Sequence, residues 1–179
     1  MNIIENEKEE LSHYRFPKNI TSSLYGLIDV NNYEKHLKAR KSLVEKGEKI
    51  LPVMYKLMNS DHKTIRKEAV KVVELIADKS SIPEIINALK DRESDIRWIA
   101  AEALIRIGRS SINPLLEALV ADGKSSYLRQ GAHHVLSRLT NEKDSDRMKQ
   151  LIRILRNSQM EGPESIPVYA AIVLNRNLS

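Results

Sequence analysis

Residues 61–91 read DHKTIRKEAVKVVELIADKSSIPEIINALKD, and residues 93–122 read ESDIRWIAAEALIRIGRSSINPLLEALVAD. The second stretch repeats the first, and a third copy opens at 125–139 with SSYLRQGAHHVLSRL. Arg66, Arg97 and Arg129 each follow an aliphatic residue (Ile65, Ile96, Leu128) and stand three positions before an alanine (Ala69, Ala100, Ala132). The arginines lie thirty-one and then thirty-two positions apart. A fixed period of that size predicts stacked supersecondary units, none of which buries its apolar face alone.

Apolar spacing divides each unit into two helices. Ala69, Val72, Val73 and Ile76 fall on one stripe of a 3.6-residue helix, as do Ala100, Ala103, Leu104 and Ile107, and Ala132, Val135, Leu136 and Leu139. The alanine heading each stripe leaves room for a neighbouring helix to come close. The second helices carry Ile82, Ile85, Ile86 and Leu89, then Ile112, Leu115, Leu116 and Leu119. Pro83 and Pro114 fit the first turn, where a missing N–H costs little, and Ser81 with Glu84 predicts a capping box.

These units resemble HEAT repeats, in particular the short form found in phycobilisome-lyase-like proteins. The likeness is carried by the Ile/Leu-Arg-x-x-Ala runs, the Ala-Leu pairs ahead of Asp91 and Asp122, and Gly108 at the helix turn. The resemblance implies an all-α fold, a right-handed α-solenoid of about four helix pairs. Those pairs are 31–60, 61–91, 92–122 and 123–157, with an N-terminal cap and a final single helix at 163–178.

Around the clear copies the pattern weakens. Residues 1–19 are polar, show no stripe and are expected to be loosely ordered; 20–179 reads as one repeat domain. Ile20, Leu24, Leu27 and Ile28 suggest the capping helix. In the degenerate unit at 31–60, Lys35 and His36 replace the aliphatic-Arg pair, whereas Ile50, Val53, Met54 and Leu57 restore a second-helix stripe. Met148, Leu151, Ile152 and Leu155 supply the fourth second helix. A loop, NSQMEGPES, then leads into the last helix, where Pro167 holds the place of the repeat arginine.

Composition narrows the function classes. Of 179 residues 29 are Lys or Arg and 24 Asp or Glu, a net +5 with pI ≈ 9.3, and the signs are interleaved rather than segregated. The local exceptions are 35–49 and 147–156, which read more simply as solvated helix faces than as a nucleic-acid surface. With Cys 0, neither a disulfide nor a thiolate nucleophile is available, and a cytoplasmic setting is expected. No apolar run reaches the ~20 residues of a membrane span.

Catalysis has no visible address. No Gly-rich phosphate loop or G-x-S-x-G occurs, and His133 and His134, adjacent on a helix, cannot chelate one metal together. The HEAT-like deoxyhypusine hydroxylases bind iron through His-Glu pairs, and this chain has none. The HEAT-like alkylpurine DNA glycosylases use a concave groove with aromatic side chains, whereas Trp98 here stands on a first helix. No cofactor and no metal are expected.

Three residue sets remain. Arg66, Arg97 and Arg129, preceded by Asp61, Asp91 and Asp122, read as a structural ladder tying the turns between units, because they recur in step with the core. The resemblance implies that second helices line a concave groove. There Tyr55, Asn87, Glu117 and Arg153 form one row, and Lys56, Ala88, Ala118 and Ile154 the next. Mixed signs and small central residues suit a protein segment better than a phosphate backbone. Finally, Trp98, Ala101 and Ile105 form a second apolar stripe on a face that ought to be polar. Lys67, Val70 and Glu74 occupy those places one unit earlier. This outer patch reads either as packing, with Trp98 under the stem of Lys67 or a nearby residue, or as a docking face for a partner or a second copy.

The sequence thus predicts a non-enzymatic protein-binding scaffold. The runner-up is a nucleic-acid-binding solenoid using Lys38, Arg40, Arg153 and Arg156, and a lyase-like cofactor chaperone comes third.

Overall fold

The structure, a computed structural model, describes residues 3–157 and 163–177. Every regular element among them is helical. The chain divides into two compact units, Met1–Ile76 and Ala77–Ser179, where the sequence reads as one repeat domain. Stacked repeats have no single shared core, so their contacts gather locally.

The first unit holds α1 (Ile3–Ser12), α2 (Lys18–Leu27), α3 (Tyr33–Val44), α4 (Leu51–Leu57) and α5 (Lys63–Ile76). Residues 1–19, expected to be loose, instead supply α1. Its Leu11 is buried, and its Glu10 Oε2 accepts a 2.8 Å bond from Ser60 Oγ. Among its described side chains, one apolar anchor plus a polar bond to a distant turn leaves no periodic stripe to read. Both α4 and α3 pack on α5, which is buried nearly all round at Ile65, Glu68, Ala69, Val70, Val72, Val73 and Glu74.

The second unit holds α6 (Ile82–Ala88), α7 (Ser94–Ile107), α8 (Ile112–Asp122), α9 (Ser126–Leu139), α10 (Asp146–Arg156) and α11 (Ile166–Asn177). Its core is the predicted set: Ala100, Ala103, Leu104, Leu115, Leu116, Leu119, Ala132, Val135 and Leu136 are wholly enclosed. Each buried leucine contributes about 1.5–3 kcal/mol. In chain order, first and second helices of the repeats alternate from α3 to α10, with α11 last, an all-α solenoid-type repeat fold.

Short 3-10 turns lead into the second helices at Gly47–Ile50, Lys79–Ser81 and Arg109–Ser111. These turns replace the expected capping box. Ser81 has helical angles (φ −79°, ψ −9°) and caps nothing, since a capping side chain needs extended backbone at its own residue. Asp78 opens the turn instead, its carboxylate accepting from the Ser80 N–H at 2.7 Å. Ala77 precedes that turn at φ 53°, and one repeat on α7 ends on Gly108 at φ 87°, ahead of Arg109–Ser111.

The closing helix departs from the reading of its entry. A fourth 3-10 turn, Pro163–Ser165, precedes α11, and Ser165-Ile166-Pro167 repeats Ser81-Ile82-Pro83. Pro167 therefore marks a second-helix entry rather than the place of a repeat arginine. α11 makes the most extensive helix–helix contact among the described residues with α8, and it also packs on α10. At Gly123 a Cβ would stand 2.9 Å from the Pro167 ring, so glycine permits this approach. Most of the loop expected before α11 falls at 158–162, outside the described residues. No described helix is long and apolar enough to cross a membrane.

Candidate functional site

The repeat arginines make the same bonds three times. Arg66 Nη1 donates to the carbonyls of Ser60 (2.9 Å) and Asp61 (3.0 Å), and Arg97 Nη1 to those of Asp91 (2.8 Å) and Arg92 (3.1 Å). Arg129 Nη1 donates to Gly123 and Lys124. Each guanidinium thus closes the turn ahead of its own helix, and the acceptors are main-chain oxygens that the turn leaves without helical partners. The aspartates differ among themselves. Asp91 accepts the Glu93 N–H at 2.8 Å, and Asp122 pairs with Lys90 at 3.1 Å.

The groove residues divide between the two units, Tyr55 and Lys56 in the first and the others in the second. Tyr55 is half-buried and Lys56 exposed, with its ammonium 4.9 Å from the Tyr14 ring. In the second unit Asn87, Glu117 and Arg153 are exposed, but Ile154 of the adjacent row is buried. The strong neighbour of α8 is α11, not α10, so Glu117 and Arg153 do not stand on closely packed adjoining helices.

The outer patch also changes. Trp98 is 58% exposed, whereas Ala101 is 3% exposed and Ile105 half-buried. An exposed stripe through all three is therefore absent. The small side chain of Ala101 lies on the strongly packed α7–α9 pair, where it lets the helices approach. What replaces the stripe is a cluster spanning the two helices. The Trp98 indole leans on the His134 ring with centroids 4.7 Å apart, and His134 Nε2 lies 2.8 Å from Glu102 Oε1. Beside them the Arg97 guanidinium covers the Tyr127 ring at 3.9 Å. His133, half-buried, is held below the usual histidine range by burial first and then by the charges of Arg156 and His134.

A model of HEAT repeats matches residues 50–137 and, overlapping them, 82–158. The chain belongs to the HEAT-repeat family. No curated protein matches it significantly. Membership accounts for the arginine period and the helix pairing, and it leaves function to be argued from the surface.

The two basic stretches of this HEAT-repeat chain differ in one decisive respect. Along α3 every named cation has an acid: Lys35 with Asp29 (2.9 Å), Lys38 with Glu34 (4.0 Å), Lys41 with Glu45 (3.9 Å) and Arg40 with Glu68. Arg40 holds the buried Glu68 through Nε at 3.0 Å and Nη2 at 2.7 Å, and Nη2 also reaches His36 Nε2 at 2.6 Å. It is thus committed within the first unit and is not available to a phosphate backbone. On α10, Arg147, Arg153 and Arg156 form no ion pair among the described residues. Sequence reasoning named His36 only as a departure from the aliphatic-Arg pair, and it missed Glu68, Glu102 and Tyr127 because none of the three recurs with the period. An aromatic directly before the Leu128-Arg129 pair is the one signal that pointed to Tyr127.

Proposed function

We propose that this chain, built from short HEAT repeats of the phycobilisome-lyase-like form, is a non-enzymatic scaffold that binds another protein through the outer face of α7 and α9. The observation that carries the proposal is the exposed indole of Trp98, the one tryptophan in the chain. Tryptophan is among the side chains that most often anchor protein interfaces, combining large apolar area with an N–H donor. Its surroundings are braced before any partner arrives: Glu102 fixes His134 under the indole, and Arg97 fixes Tyr127. A face ordered in advance loses little entropy on binding. Stacked helical repeats commonly act as interaction scaffolds, which agrees with this reading.

A photo-crosslinking residue at Tyr127 would capture the partner for identification and purification. Trp98→Ala should then raise the measured Kd about thirtyfold, the size of an interface hot spot. The same change should shift the melting temperature by less than about 2 °C, since it removes a largely exposed side chain. An unchanged Kd, or a large loss of stability, returns Trp98 to internal packing. Concentration-dependent sedimentation that Trp98→Ala abolishes would identify the partner as a second copy.

A further inference from the structure

We propose that the cleft between α10 and α11 is a second docking site, independent of the Trp98 face, and that it takes an acidic segment of another protein bearing aliphatic side chains. The cleft has a volume of about 330 Å³ and is lined by Arg147, Gln150, Tyr169, Ile172 and Val173. A guanidinium and an amide stand on the α10 side, with a phenol and two aliphatic side chains on the α11 side. One turn before Ile172, Val168 is 60% exposed. α11 buries Ile166, Ala170 and Val173 on one side and leaves Val168 and Ile172 in water on another. A helix apolar on both sides leaves one of them unpartnered.

Charge identifies the occupant. Arg147, Arg153 and Arg156 are exposed and form no ion pair among the described residues, in contrast to the acid-matched cations of α3. On α10 the acidic Asp146 is already paired with Lys149 at 3.7 Å. A carboxylate arriving from outside meets Arg147, whose planar fork suits bidentate pairing, with Gln150 one turn on along α10. An aliphatic residue beside that carboxylate covers Ile172 and Val168. The aliphatic floor, with Arg147 as the one cation among the described lining residues, suits a peptide rather than a phosphate backbone, which asks for a row of cations.

A display library of random peptides, selected on the immobilised full chain and counter-selected on Arg147→Glu, tests the proposal. The expected result is enrichment of sequences pairing Asp or Glu with Leu, Ile or Val. Their affinity should fall about tenfold or more in Arg147→Glu and in Ile172→Ser, and also with added salt. Trp98→Ala should leave that affinity unchanged, which separates this site from the one proposed above. Both cleft variants are surface changes, and a thermal melt confirms that they fold. Enrichment of basic peptides, or binding indifferent to both variants, overturns the proposal. So does tighter, Arg147-dependent capture of phosphatidylserine vesicles or duplex RNA than of the selected peptides.

Discussion

The α3–α5 contact of the first unit and the α7–α9 contact of the second join first helices of neighbouring repeats, but they are made of different material. Between α7 and α9 the close approach rests on small residues, Ala100, Ala101 and Ala132, and the polar pair Glu102–His134 sits at the half-exposed margin. Between α3 and α5 the backbones come less close, and the space is filled by a buried polar group, Arg40 and His36 on Glu68. The repeat alanine is buried in both, at Ala39 and Ala69 as at Ala100 and Ala132, but between α7 and α9 apolar packing carries the contact. Where His36 replaces the repeat arginine, long polar side chains satisfy one another instead.

The sharpest test of that contrast is core truncation in the regular unit. Leu104→Ala or Leu116→Ala should each cost roughly 2–5 kcal/mol in chemical denaturation, because both side chains are wholly enclosed. A near-neutral result in both would place the stripe on the wrong face.

In the degenerate unit the corresponding blow is electrostatic. Glu68→Ala strands Arg40 beside His36 and should cost about 3 kcal/mol, with much of the loss recovered in the apolar double variant Arg40→Met/Glu68→Leu. Failure of the double variant to recover would mean that the pair also sets the geometry of the contact.

Smaller effects separate equivalent turn positions. Ala77 at φ 53° occupies the place that Gly108 fills at φ 87°. Ala77→Gly relieves left-handed strain of about 1–2 kcal/mol but frees the unfolded chain, for a net gain of roughly 0.5–1 kcal/mol. Gly108→Ala should move stability the opposite way. Equal signs in the two would contradict the assigned backbone angles.

The least effect is expected at the margin of the second unit, where Arg109 grips Asp144 through Nη1 at 3.1 Å and Nη2 at 2.6 Å. The hydrogen bonds from Arg109 hold the Asp144 carboxyl below the usual aspartate range. A lowered folded pKa gives a contribution that is complete above the unfolded value and disappears as pH falls through the folded one. The stability gap between the native chain and Asp144→Asn should therefore be under about 1 kcal/mol at neutral pH and vanish in strong acid. A gap that persists in acid would assign it to the loop's other bonds.

Much of this architecture is legible in the residues themselves. The Arg66–Arg97–Arg129 period, the alanine-headed stripes and the first-turn prolines all follow from spacing along a single helix, where neighbours three and four positions apart share a face. The candidate surfaces are less legible. Trp98 stands out by its chemistry, yet Ala101, three positions on, is hidden by a helix more than twenty residues away. Ser165-Ile166-Pro167 repeats Ser81-Ile82-Pro83, yet Pro167 reads in sequence as the place of the repeat arginine, and the likeness is evident only once α11 is seen to follow a 3-10 turn. The partner of α11 was not announced.

By itself, then, the sequence determined the helix pairs and their repeat, because those depend on local propensity and on which side chains share a stripe. Only the tertiary structure decided that α11 packs on α8, that Arg40 is committed to Glu68, and that His134 supports Trp98. The physical reason is that a stripe specifies that a face must be covered but not by which helix. That choice depends on side-chain volumes and charges brought together from distant positions, such as the absent Cβ of Gly123 against the ring of Pro167.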